Sequence, residues 1–249
     1  MDLSNNTVLV TGGATGIGWC IARRLLEAGN KVLVCGRRQE RLDAALERLP
    51  GLQARRCDVG TAEGREALGE WARDEGVNVL VNNAGMQRMV DLTKGVRALE
   101  AGDNEVRINF EGPVYLTVRL LPDLIARGTG AVVNVTSGLG FVPMAAMPVY
   151  CATKAGLHLF SVSLRRQLRG TGVKVFELIP PMVDTELDRG ARAERGQAER
   201  GIPPEEVAQA FMEGLERDRF EIAVAGAAHL VAASRASFDE IFEAMNARS

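Results

Sequence analysis

The sequence predicts an α/β fold, a doubly wound parallel sheet with helices on both faces. Three observations predict it. Short valine-rich runs without polar alternation recur along the chain, the pattern of strands buried on both faces. Longer stretches with apolar residues at three-to-four spacing separate them, the pattern of amphipathic helices. A glycine-rich turn, "VTGGATGIG", directly follows the first apolar run and opens the first helical stretch. In such sheets that is where a phosphate is held, on the N-terminus of the helix.

The elements follow in order. TVLVT (Thr7–Thr11), KVLVC (Lys31–Cys35), NVLVNN (Asn78–Asn83), GAVVNVTS (Gly130–Ser137) and VKVFELI (Val173–Ile179) read as strands, and LQARRC (Leu52–Cys57) as a weaker sixth. Between them, Ile17–Ala28 carries Ile17, Ile21, Leu25 and Ala28 on one helical face, and Arg38–Leu49 carries Leu42, Leu46 and Leu49. Strand-helix alternation of this length makes βαβ units and a parallel sheet. No repeat or linker divides the 249 residues, so residues 1–249 are expected to form one domain. The segment 186–204 is polar, with four arginines against four acids, and reads as a solvated loop or as a lid over a site.

Composition excludes several classes. Hydrophobic content of 46%, charged content of 25% and a net charge of -2 describe a soluble globular chain with no basic footprint for nucleic acid. The N-terminus "MDLSNNTVLV" has no secretory signal, and the run Ile222–Ala233 is too short to span a bilayer, so no membrane partner is expected. Cys20, Cys35, Cys57 and Cys151 show neither paired nor metal-ligand spacing. They read as buried thiols in a cytoplasmic, reducing setting, with no metal.

In the glycine turn, Gly12, Gly16 and Gly18 leave room for backbone pressed against a pyrophosphate. The second strand ends in "VCGRRQERL": Gly36 stands where an NAD site places an acid for the ribose 2′-OH, and Arg37 and Arg38 follow. Guanidinium forks suit a 2′-phosphate, so NADP is favoured over NAD. Asp58, after the third strand, is placed for an adenine amino group or for a helix cap. The asparagines of "NNAG" (Asn82–Gly85) can satisfy backbone groups where the sheet opens. Tyr150 and Lys154 stand four residues apart in "VYCATKAG", one helical turn, with no acid nearby to pair the lysine. Ser137 ends the fifth strand run, so it can converge with them on the crevice.

Together these residues resemble the short-chain dehydrogenase/reductase family. The resemblance covers about residues 5–225 and rests on "TGGATGIG", "NNAG", Asn109 in "INFEG", Ser137, and the Y-x-x-x-K of Tyr150 and Lys154. It implies a Rossmann fold whose seven-stranded parallel sheet has the order 3-2-1-4-5-6-7. It assigns Thr11, Gly12, Thr15, Gly16, Ile17 and Gly18 to the pyrophosphate end, Asp58 and Val59 to the adenine, and Asn82, Ala84 and Gly85 to the cofactor's ribose side. It makes Tyr150 the general acid/base and Lys154 its partner, bonded to the nicotinamide ribose. A tyrosine titrates near about 10 in water, and a neighbouring ammonium and nicotinamide cation favour the phenolate. By the same resemblance Ser137 holds the developing alkoxide, Asn109 holds a water of the proton relay, Thr185 bonds the nicotinamide carboxamide, and Val183 contacts it through its backbone.

The chain departs from the family at two places. "IPPMVDTEL" puts Pro181 where a glycine is usual, which stiffens that loop. About twenty residues follow the seventh strand, "FEIAVA" (Phe220–Ala225), and Leu230, Ser234, Phe238, Ile241, Phe242 and Met245 recur there at helical spacing. That predicts a helical extension over 227–247, packed on its own domain or on a second subunit. Both departures resemble reductases encoded with D-alanyl-lipoteichoic-acid or peptide-synthetase operons.

Met86, Met89, Met144, Met147 and Met182, with Leu139, Phe141 and Val142, are expected to rim an apolar, adaptable pocket. The expected activity is hydride transfer to or from a small or medium apolar carbonyl or alcohol, with Arg88 or an arginine of the 186–204 segment as a possible holder of a carboxylate or carrier phosphate. His158 and His229 are given no catalytic role. A dinucleotide-binding regulator or scaffold without turnover is the rival reading, and an epimerase or dehydratase needs a larger C-terminal part. A homodimer is expected, with a homotetramer as the alternative.

Overall fold

The computed structural model describes residues 1–100, 104–187 and 201–247. One sheet of seven parallel strands has the expected order, β3-β2-β1-β4-β5-β6-β7. The strands are β1 (Thr7–Thr11), β2 (Lys31–Gly36), β3 (Gln53–Arg56), β4 (Val79–Asn82), β5 (Gly130–Val135), β6 (Val173–Ile179) and β7 (Glu221–Ala223). The helices are α1 (Gly16–Glu27), α2 (Gln39–Arg48), α3 (Ala62–Asp74), the single turn α4 (Arg97–Glu100), α5 (Gly112–Arg127), α6 (Pro148–Gln167), α7 (Pro204–Glu216), α8 (Gly226–Ala236) and α9 (Phe238–Asn246).

The valine-rich runs become strands because alternate residues feed two cores. Val8, Val10, Val32, Val34, Val79 and Val81 meet Ile21 of α1, Leu42 of α2 and Phe211 of α7 on one face. Leu9, Leu33, Leu80 and Val132 meet Leu68 of α3, Leu120 of α5 and Leu164 of α6 on the other. Cutting one of these buried leucines to alanine costs about 2–5 kcal/mol, a large share of a domain's stability. Strand order reverses between β1 and β4, which opens a crevice at their C-terminal ends.

A polar thread crosses the second core. Asn82 Nδ2 donates to Thr117 Oγ1 at 3.0 Å and to Asn134 Oδ1 at 2.9 Å, and Asn134 Nδ2 donates to Ser161 Oγ at 2.9 Å. It links α5, β4, β5 and α6, and all four side chains are buried.

The C-terminal extension differs from the single apolar-faced helix expected over 227–247. It forms two helices, α8 and α9, broken at Ser237 with φ of -150°. The break lets each helix pack on a different patch of the domain. Ala227 and Val231 of α8 pack on Ile179 and Phe141. From α9, Asn246 reaches the loop after β5: its Oδ1 accepts from the Ala145 N–H, and its Nδ2 donates to the Pro143 carbonyl. Among the described residues no helix is long and apolar enough to cross a membrane.

Candidate active site

β1 ends at Thr11, and the chain turns at once to begin α1 at Gly16. Gly12 and Gly16 make the turn with φ of +65° and +55°, where L side chains are strained. Gly18 is glycine for another reason: a methyl there would fall 2.4 Å from Asn83 Nδ2 and from the Gly12 carbonyl oxygen. Asn83 pins the turn, its Nδ2 donating to the carbonyls of Thr11 at 2.9 Å and Gly12 at 3.2 Å. Thr11 Oγ1 accepts in return from the N–H groups of Asn83 and Ala84, both at 3.0 Å. Thr15 occupies the N-cap of α1 in extended conformation and, among the described residues, makes no side-chain capping bond, which leaves the first N–H groups of α1 to an anion. Ile17 packs behind the turn on the first core. Two assignments shift. The buried Thr11 hydroxyl organises the turn rather than opening to it, and Asn82 turns its side chain into the polar thread, away from the crevice. Its neighbour Asn83, expected with it to satisfy backbone groups but not counted among the cofactor-binding residues, is the asparagine that holds the glycine turn.

At the adenosine end, Arg37 and Arg38 follow Gly36 off β2. Arg37 Nη1 lies 4.0 Å from Asp58 Oδ2. Asp58 Oδ1 accepts from the Gly60 N–H at 2.8 Å, while Thr61, not Asp58, caps α3 through the Gly64 N–H at 3.0 Å. Val59 turns its side chain into the second core, leaving only its backbone for an adenine. Arg38 and Arg41 both reach Glu186, at 3.0 Å and 2.8 Å. Neither Arg41 nor Glu186 stood out in the sequence, because only the fold brings α2 and the segment after β6 together.

At the chemical end, the chain from residue 105 into α5 widens to a π-turn over Arg107–Glu111, a distortion frequent at functional sites. Asn109 sits in it, fully buried. Its Oδ1 accepts from the Met86 N–H at 2.9 Å, and its Nδ2 donates to the Met86 carbonyl at 2.8 Å and to Thr153 Oγ1 at 3.2 Å. Asn109 thus fixes the residues after Gly85 against α6. Tyr150 and Lys154 lie on the inner face of α6, both buried. Lys154 Nζ is 5.8 Å from the Tyr150 ring centroid and donates to the Val135 carbonyl at 2.8 Å. Burial pulls its pKa down to about 8, because taking an ammonium out of water disfavours the charged form. A methyl on Gly85 would stand 3.6 Å from Lys154 Nζ and 3.4 Å from Asn109 Oδ1, so glycine keeps the space beside the ammonium open. Ser137 caps a short turn, its Oγ accepting from the Leu139 N–H at 3.2 Å. That leaves its O–H to donate elsewhere.

The loop after β6 lies against the glycine turn: a methyl on Gly16 would come within 3.1 Å of Thr185 Cγ2. Val183 is buried and pairs with Ile202, which returns alongside it. Residues 188–200 of the predicted lid lie outside the described residues. The expected apolar rim is only partly assembled. Leu139, Met144 and Met147 pack with Tyr150 and Cys151, and Met89 and Met182 are exposed. Phe141 is instead drawn behind the site, by α8 and by the His158 ring 4.4 Å away. Val142 is fully buried, and Met86 packs on the second core. His158 meets the buried Glu177 at 2.8 Å, the packing role expected of it.

A dinucleotide fits what is present: an uncapped helix N-terminus for its phosphates, guanidinium groups where β2 ends, and a glycine-lined space beside Lys154. The family model described as short chain dehydrogenase matches residues 6–196. The chain belongs to the short-chain dehydrogenase family. Among its relatives, the uncharacterised oxidoreductase DltE of Bacillus subtilis is 48% identical over 99% of this chain and 98% of its own length. The NADP-dependent 3-hydroxy acid dehydrogenase YdfG of Escherichia coli strain K12 is 35% identical over 82% of this chain and 86% of its own. Among solved structures, a serine dehydrogenase complexed with NADP+ is 34% identical with a TM-score of 0.74, over 83% of this chain and 88% of its own. A short-chain dehydrogenase from Burkholderia phymatum in complex with NAD has a TM-score of 0.86 at 20% identity, over 100% of this chain and 98% of its own, a likeness of fold. This short-chain dehydrogenase is thus an oxidoreductase by family, and its neighbours hold NADP or NAD.

Proposed function

We propose that the chain is a cytoplasmic NADP(H)-dependent oxidoreductase that moves a hydride between the nicotinamide and a small or medium apolar carbonyl or alcohol. The observation that carries this reading is Lys154. It is buried, burial brings its pKa to about 8, and no carboxylate among the described residues offsets that burial. Holding an ammonium there is costly, and the cost makes sense where a neighbouring phenol must ionise.

The nicotinamide, when bound, supplies or accepts the hydride. The protein handles the proton and the oxygen. Tyr150 donates its phenolic proton to the carbonyl oxygen during reduction and takes it back during oxidation. Lys154 stabilises the phenolate left behind and, across the space at Gly85, holds a ribose hydroxyl. Ser137 donates its O–H to the same substrate oxygen, strongest as negative charge develops there. Asn109 positions the segment after Gly85 on one side and α6 on the other. Arg37 and Arg38 select the 2′-phosphate, Asp58 and the Val59 backbone meet the adenine, and Thr185 and the Val183 backbone meet the carboxamide. A hydroxy or keto acid is the second reading. Arg88 favours it, since its buried Nε, 3.7 Å from Glu105, makes no hydrogen bond among the described residues, and the E. coli relative is named for 3-hydroxy acids.

A homodimer belongs to the same reading. Val118 and Ile125 of α5 and Leu159 and Val162 of α6 are exposed apolar side chains that a second copy would cover.

The test is titration with NADPH and NADH by nicotinamide fluorescence, then a carbonyl screen with Tyr150→Phe as control. NADPH preference and turnover that falls by about 10²–10⁴ in the variant support the proposal. NADH preference overturns the cofactor choice. Tight cofactor binding with no turnover of any carbonyl moves the weight to the regulatory reading.

A further inference from the structure

Two arginines at the adenosine end already hold an anion, and that anion is part of the chain. Glu186 spans them, Oε2 at 3.0 Å from Arg38 Nη1 and Oε1 at 2.8 Å from Arg41 Nη2. One carboxylate bridging two guanidinium forks has the geometry in which such forks take a phosphate. Arg38 stands at the N-cap of α2, directly after the strand whose end selects the cofactor, and Arg41 lies one turn on. Glu186 itself follows Thr185, which packs on the glycine turn. Consecutive residues thus touch the glycine turn, where the pyrophosphate is expected, and the arginines where β2 ends.

We propose that Glu186 is a built-in competitor for the 2′-phosphate of NADP(H), so that cofactor binding displaces its carboxylate from Arg38 and Arg41. This rests on the NADP reading above and deepens it. Glu186 becomes a residue that sets cofactor selectivity from the opposite side of the crevice. A ligand without the 2′-phosphate leaves the bridge in place. A ligand with it frees Glu186 and, through the adjacent Thr185, changes the backbone that lies on the glycine turn. All three side chains are part exposed, so the competition is modest, since water screens exposed ion pairs.

The experiment is calorimetric titration of the full chain with 2′,5′-ADP and with 5′-AMP at low salt, for the parent, Glu186→Gln and Arg38→Gln. Glu186→Gln is expected to bind 2′,5′-ADP about two- to thirtyfold tighter, as loss of two exposed ion pairs implies, with 5′-AMP affinity unchanged. Glu186→Asp keeps the charge but is too short to span both guanidiniums, and a smaller gain in the same direction is expected. Unchanged or weaker 2′,5′-ADP binding in Glu186→Gln overturns the proposal; a loss would make the bridge a clasp over the cofactor instead. Unchanged 2′,5′-ADP binding in Arg38→Gln, or equal parent affinity for the two nucleotides, overturns the NADP reading itself. Retained 5′-AMP binding in each variant shows that the fold is intact, and a variant that lost both nucleotides would be replaced by Arg41→Gln, for which the same loss as Arg38→Gln is expected.

Discussion

Lys154 has a thermodynamic signature that separates function from stability. Its folded pKa of about 8 lies below the 10.5 of a lysine in water, so the unfolded chain holds the proton more tightly. Burial therefore costs stability at neutral pH, about 3 kcal/mol by linkage. The cost is full below pH 8 and disappears as pH rises toward 10.5. Lys154→Met removes it but also loses the bond to Val135, worth about 1 kcal/mol. The variant is expected to melt about 4–8 °C higher at pH 7, to lose turnover, and to lose its thermal advantage between pH 8 and pH 10.5. Scanning calorimetry across that range checks it, and an equal or lower melting point at pH 7 counts against the buried ammonium. Gly18→Ala has the opposite sign. Its methyl would sit 2.4 Å from two atoms of the pinned turn, so urea unfolding should show a loss of about 1–3 kcal/mol together with weakened cofactor binding.

Some of this was legible from the sequence, and the parts that were not share a cause. Each valine-rich strand could be read because burial on both faces leaves an unbroken apolar run. The paired asparagines could be read as a site but not sorted. Adjacent strand residues point to opposite faces, and only the register of β4 with β5 sends Asn82 inward and Asn83 to the turn. Arg41 and Glu186 were invisible as partners because they meet only through the completed sheet. At the C-terminus, helical periodicity continues through Ser237, so nothing local marks the break. Packing decides it, because one straight helix cannot cover both the Ile179 patch and the loop at Pro143. α9 in turn makes a testable demand. Asn246 bonds both Pro143 and Ala145, and Phe242 lines an apolar cavity with Leu139, Met144 and Cys151, side chains that pack with Tyr150. Asn246→Ala is expected to raise KM for a carbonyl substrate several-fold with NADPH affinity unchanged. Steady-state kinetics beside a cofactor titration distinguish this from general loosening, in which both would weaken.

On the scale of the molecule, α5, which follows the π-turn of Asn109, and α6, which carries the Tyr150–Lys154 pair, present the exposed apolar side chains of the proposed dimer face. Leu159→Arg places a charge there without touching the crevice. Light scattering is expected to report a dimer for the parent and a monomer for the variant. A parent that is monomeric at micromolar concentration ends the dimer proposal.

The polar thread from Thr117 through Asn82 and Asn134 to Ser161 bears on how the chain finds this structure at all. Asn82 and Asn134 are 52 residues apart in sequence, with α5 between them, so the pairing of β4 with β5 is a non-local contact, the kind that slows folding. Hydrophobic strands alone tolerate a slip along one another, since valine packs on valine almost anywhere. The amides do not: a slip of one residue would strand several of these groups in a dry core at about 1–3 kcal/mol each. The thread therefore fixes the register of β4 against β5, and with it the alignment of the residues at the strand ends.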